Sequence, residues 1–166
     1  MNAIDTVKTC ITALQSGDIE LAASILSDDF LLTGLTPNPL RKNALLALQG
    51  ELLTAMPDFS YNLAGIHQEA REVIALIQIT GTHTRDLALS VLGLPTIQAT
   101  GIAITLPQVS TTFEVEEGKV LGMQSEVVPG GGIEGLLQQV GAELPLLPRL
   151  REISDNNLAG ERTAYE

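Results

Sequence analysis

The sequence has no tryptophan, one cysteine and only 3% aromatic residues. A core built with so few rings has to be aliphatic, from leucine, isoleucine, valine and alanine. The single thiol, Cys10, excludes an intramolecular disulfide. Basic residues are scarce as well: 9 Lys and Arg stand against 20 Asp and Glu, a net charge of −11. That charge repels phosphate backbones and anionic headgroups, so neither nucleic acid nor a membrane is an expected partner. No apolar run reaches the roughly 20 residues a bilayer crossing needs. Residues 1–10 carry Asp5 and Lys8 inside an amphipathic pattern rather than a signal peptide. A reducing, cytoplasmic setting is the expectation.

What is present is an apolar fraction of 45% in 166 residues, enough for one self-sufficient domain. Ile4, Val7, Ile11 and Leu14 recur at helical spacing, and Ser16-Gly17 ends that helix. Cys10 lies beside the stripe and reads as a small core residue, not a nucleophile. Asp18 is the expected cap of a second helix buried through Leu21, Ile25 and Leu26. Asp28-Asp29 reads as its stop, followed by a short strand at Phe30-Leu31-Leu32. Asn38-Pro39 is the expected start of a third helix, with Leu45, Leu48, Leu52, Leu53 and Met56 on one side.

The second half alternates as strands do. Residues 58–67 and 72–83 are expected to pair as a hairpin about Ala70, with Tyr61 opposite Ile79 and Leu63 opposite Ile77. One face then carries Phe59, Tyr61, Leu63, Val73, Ala75, Ile77, Ile79 and His83. Ile74 and Leu76 fall on the other, half-polar face. After a loop around Leu92-Gly93-Leu94-Pro95, strands are expected at 101–106, 108–116 and, past Glu117-Gly118, from Lys119 to Val128. Pro129 to Gly132 breaks the last strand, and Ile133 to Val140 reads as a closing helix. The glycine run lacks the lysine of a nucleotide-binding loop and reads as a hinge. The fold class expected is α+β: a cone-shaped, curved antiparallel sheet wrapped by N-terminal helices around an internal pocket. The domain would span 1–144, with 145–166 a partly loose tail.

This order of elements, with Gly81-Thr82-His83-Thr84, Leu92-Gly93-Leu94-Pro95 before Thr100-Gly101, Glu117-Gly118-Lys119-Val120 and Gly135-Leu136-Leu137-Gln138-Gln139-Val140-Gly141, resembles the SnoaL-like polyketide cyclase group of the nuclear transport factor 2-like superfamily. The resemblance covers roughly residues 4–142. It implies homodimers, no metal or organic cofactor, and in the cyclases an aldol ring closure run by a lumen Asp as general acid/base. The place matching that Asp holds Gly132. The tryptophan of the family pattern near Glu126-Val127-Val128 is missing, and Arg85 stands where a glycine often follows the His-Thr pair.

Candidate chemistry centres on His83, which matches the family's histidine and is expected on the pocket face, where an imidazole can donate to a carbonyl. The alternative is a buried histidine satisfied by a polar neighbour. Glu126 is the carboxylate nearest the missing Asp: facing inward it would be an acid or base with a raised pKa, facing outward an ordinary solvated side chain. Asp86 would orient His83 or merely start a turn. His67 lies about 33 Å of strand away from His83, which disfavours a two-histidine metal site. Tyr61, Ile77, Ile79 and Phe113 are expected to line the pocket with His83. The leading expectation is a binding or accessory protein for a small, hydrophobic, carbonyl-containing ligand. The alternatives are a cofactor-independent cyclase, isomerase or hydratase using His83 with Glu126 or Asp86, and a homodimerisation scaffold.

Overall fold

The computed structural model of the chain describes residues 2–142. The tail expected at 145–166, with its boundary at 144, lies outside them. Helix α1 (Ala3–Ser16) begins where the Asn2 side chain accepts the Asp5 N–H at 2.8 Å. It buries Val7, Cys10, Ile11 and Leu14 and ends at Gly17 in the left-handed region, φ +80°. Asp18 caps α2 (Ile19–Ile25) by accepting the Leu21 N–H at 3.2 Å. Leu21 is exposed, and Ala22 with Ile25 forms the buried face instead.

Strand β1 (Leu26–Thr33) is longer than the sequence suggests, and Asp28-Asp29 lie inside it. The physical reason is a bulge against β8 (Lys119–Ser125): Leu26 pairs with Val120 but Leu31 with Gly122, so 5 residues of β1 span 2 of β8. Both aspartates are carried into solvent on this stretch, which no simple alternation anticipates. The third helix also starts later than Asn38-Pro39. Leu40 pairs with Leu32 in a two-residue strand β2 (Leu40–Arg41), and α3 (Lys42–Ala55) follows it. Long-range pairing thus overrides the local cap signal.

The remaining strands are β3 (Ala64–Glu69), β4 (Glu72–Ile77), β5 (Thr80–Thr82), β6 (Ala103–Thr105) and β7 (Val109–Glu116). The main sheet has the order β2-β1-β8-β7-β4-β3. All its neighbours are antiparallel except β1 and β8, so the sheet is mixed rather than purely antiparallel. The β3–β4 hairpin keeps the expected pairing where Ser60 bridges Thr80 and Ala64 faces Leu76, then shifts by one residue at His67, which faces Ile74. Residues 78–79 interrupt the strand, and β5 leaves the main sheet to pair with β6. Helix α4 (Gly132–Gln139) closes the fold. Gln139 holds it down by donating to the Thr105 carbonyl at 2.8 Å and accepting the Thr105 N–H at 3.1 Å. The chain is therefore an α+β fold, a curved mixed sheet covered on its concave side by helices.

Candidate functional site

Between the sheet, α3 and α4 lie two adjoining hollows. The smaller is lined by Leu45, Leu48, Gln49 and Leu52 of α3, Phe59, and Ile133 with Leu136 of α4. The larger is walled by Leu32, Met123 and Ser125 of β1 and β8, Val109 and Thr111 of β7, and Ile77. Leu35, Leu45, Tyr61, Ile79, Leu106 and Gly132 line both. Counted with their openings to solvent the hollows hold about 330 and 500 Å³, but the space open to the centre of a water molecule is only about 10 and 30 Å³. That is room for about one and about two waters, so any larger guest has to displace side chains.

The polar groups in this wall are few. Tyr61 stacks edge-on against Phe59, ring centroids 4.9 Å apart at 83°, and its hydroxyl donates a short hydrogen bond to Gln49 Oε1. Burial, with the nearby Cys10 as a second cause, pushes the Tyr61 hydroxyl well above its usual range, so it stays protonated. Gln49 is 1% exposed, and its Nε2 has no hydrogen-bond partner among the described residues. The sequence pattern of α3 points to Leu45, Leu48, Leu52, Leu53 and Met56 and leaves out Gln49. Its signal is a polar residue at i+4 from Leu45 and i−3 from Leu52, inside the buried face. Thr111 and Ser125 complete the polar lining. Behind the wall, Cys10 is buried and its thiol is pushed up to about 12 by desolvation, which leaves it unreactive.

The expected catalytic residues do not converge here. His83 is fully buried, but it lines neither hollow. Its position follows from the strand break: β5 belongs to the small sheet, and His83 comes after it, bonded to Thr100 Oγ1 through Nδ1 at 2.9 Å. Its Nε2 is buried without a partner among the described residues. Asp86 does not orient His83; its carboxylate is exposed and accepts the Ala99 N–H at 3.0 Å. Glu126 points outward, exposed, accepting the Ser110 N–H at 3.0 Å, so it is no buried acid or base. Phe113 is fully buried in the sheet's core row between Val73 and Met123, outside both hollows. Ile77 lines the larger hollow; Tyr61 and Ile79 line both. Gly132 lies on the wall, as the spacing to Gln139 suggests, yet with φ +65° and a Cβ that would stand 2.8 Å from the Leu35 carbonyl oxygen. Among the described residues no cluster of His, Cys, Asp and Glu could hold a metal ion, and no helix is long and apolar enough to cross a membrane.

A helix-covered, curved sheet with an aliphatic lumen defines an α+β cone. The family model described as SnoaL-like domain matches residues 7–123, and the chain belongs to that family. No curated protein matches the sequence. Among solved structures, AclR from Streptomyces galilaeus, described as a proposed hydroxylase, superposes with a TM-score of 0.63 at 19% identity over 82% of this chain and 93% of that one. A proposed polyketide cyclase from Pseudomonas putida gives 0.61 at 20% over 84% and 98%. An LEH-like epoxide hydrolase from M. tuberculosis gives 0.59 at 17% over 83% and 91%. At these identities the likeness is one of fold.

Proposed function

We propose that this chain is a small-molecule-binding or accessory member of the SnoaL-like family, holding a small, uncharged, hydrophobic ligand in the cone. The observation that carries this reading is the chemistry of the wall. Among the described residues its only titratable side chain is Tyr61, held protonated, so these residues give the wall no proton acceptor active near neutral pH. An aldol step of the cyclase type needs such a group, and Gly132 stands where the family's Asp would be. Apolar walls with a few placed polar groups are what small-molecule sites are made of. A cytoplasmic setting and a homodimer belong to the same proposal.

The test is native mass spectrometry of the freshly purified protein, with thermal-shift measurements against small neutral apolar compounds. We expect a non-covalent passenger or a stabilising compound, and loss of both in Ile79→Phe, which crowds the two hollows from a half-buried position. Failure of every compound to stabilise the protein, together with an empty native spectrum, would refute the binding reading. Turnover of a carbonyl substrate that vanishes in His83→Ala would instead establish the enzyme reading.

A further inference from the structure

We infer that Gln49, positioned by Tyr61, selects ligands by an uncharged hydrogen-bond acceptor such as a ketone, ester or ether oxygen. This rests on the proposal that the cone binds a small molecule, and it names what that molecule must present. A primary carboxamide on the buried face of a leucine-rich helix is costly unless both its ends are satisfied. At Gln49 one end is: Oε1 accepts from the Tyr61 hydroxyl, whose single proton is thereby spent. The other end is not, for Nε2 is buried and has no partner among the described residues. Gln49 and Tyr61 both line the smaller hollow, and Tyr61 extends into the larger one. The dyad therefore offers N–H donors and no free hydroxyl proton to a guest.

A carboxylate ligand is disfavoured, because among the described residues the wall has no cation to compensate its charge. A pure hydrocarbon would fit the aliphatic surface and leave Nε2 unsatisfied. A neutral acceptor satisfies it. Turning the amide over would have Nε2 donate to the Tyr61 oxygen, leaving Gln49 Oε1 to accept from a donor-bearing guest and freeing the tyrosine proton for an acceptor, so the orientation of the dyad is the specificity element.

The experiment uses two probes of one shape, cyclohexanone and methylenecyclohexane, which differ in C=O against C=CH2. Both are titrated by NMR into the wild-type protein and into Gln49→Met/Tyr61→Phe, a double change that removes both polar partners together. We expect the ratio of ketone to alkene affinity to fall about tenfold or more in the double variant, with the melting temperature unchanged or higher. In the wild type, the Gln49 side-chain NH2 resonance, identified by its loss in Gln49→Met, should move with cyclohexanone and stay still with methylenecyclohexane. An equal loss of both probes, or a still NH2 resonance at ketone saturation, would overturn the inference. If the double variant does not fold, the NH2 resonance decides alone. Binding of the alkene with no ketone-specific response sinks the role of Gln49 and leaves the binding reading standing. Binding of neither probe overturns the inference about Gln49, and the binding reading is then decided by the native spectrum and the thermal shifts.

Discussion

His83 and Gln49 each carry a buried nitrogen without a partner, but they occupy different places and should respond differently to truncation. His83 is fully buried and tied to Thr100, whose hydroxyl also accepts the Ile102 N–H, so His83→Ala leaves a cavity and removes one of the two bonds of that hydroxyl. It should cost about 2 kcal/mol or more in denaturant unfolding while leaving pocket binding unchanged. Weakened binding at wild-type stability would return His83 to the site. Gly132 makes the complementary case. Gly132→Asp puts a carboxylate where the resemblance leads one to expect it, yet it forces a Cβ into the left-handed region and against the Leu35 carbonyl. We expect a loss of about 2 kcal/mol or more and no gain of acid–base chemistry, read from chemical denaturation. Periodicity made the burial of His83 and Tyr61 legible, since parity along a strand survives even where the strand changes sheets. That the two side chains part company depends on the break at 78–79, which nothing in Gln78-Ile79 announces. The outward turn of Glu126 depends on the β7–β8 register and was equally unreadable from composition.

Among the elements, α1 is legible in its apolar spacing and α2 in its local Asp18 cap, whereas α3 follows Arg41, which makes no side-chain cap bond, and starts later than the Asn38-Pro39 signal indicates. Hairpin turns allow a direct test of the same logic. Glu117 and Gly118 have φ of +51° and +76°, the geometry of a two-residue turn between Glu116 and Lys119. Asn-Gly suits that turn better than Glu-Gly. Glu117→Asn should therefore raise stability by about 0.5–1 kcal/mol, measured by thermal unfolding; a loss would mean the Glu117 side chain makes a contact worth more than its strain. The small sheet has its own fastening. Asp58 accepts the Thr82 N–H at 2.7 Å and the Thr82 hydroxyl at 2.8 Å, and these bonds hold its carboxyl below its usual value of 3.8. A depressed folded-state pKa contributes stability that is present above the unfolded pKa and is lost as pH falls through the folded value. Stability should consequently drop more steeply below about pH 4 in the wild type than in Asp58→Asn. The effect is small because Asp58 is exposed. Parallel acid limbs in the two proteins would show that the contact does not act on folding.

For the whole molecule, the homodimer proposal turns on the convex face of the sheet. Register places Glu69, Glu72 and Glu114 side by side on β3, β4 and β7, and the row continues through Gly122 to Leu31. Like charges directly opposite one another weaken a sheet. On the same face Leu31 is 39% and Leu76 36% exposed, with Ile74 half-buried beside them. This combination of apolar surface and unbalanced acid frames the homodimer proposal. A two-fold contact through this face would bury the leucines and Ile74, but it would also bring one glutamate row toward its copy. Association should therefore tighten as salt rises and the Debye length shrinks from about 10 Å at 0.1 M to about 3 Å at 1 M. An interface held by ion pairs would do the reverse. Sedimentation equilibrium across that salt range should show the dimer fraction growing, and Leu76→Lys should abolish the dimer without lowering the melting temperature. A monomer at micromolar concentration in every salt would end the dimer proposal. A dimer that weakens with salt, or that survives Leu76→Lys, would move the contact off the sheet and leave the convex face to solvent.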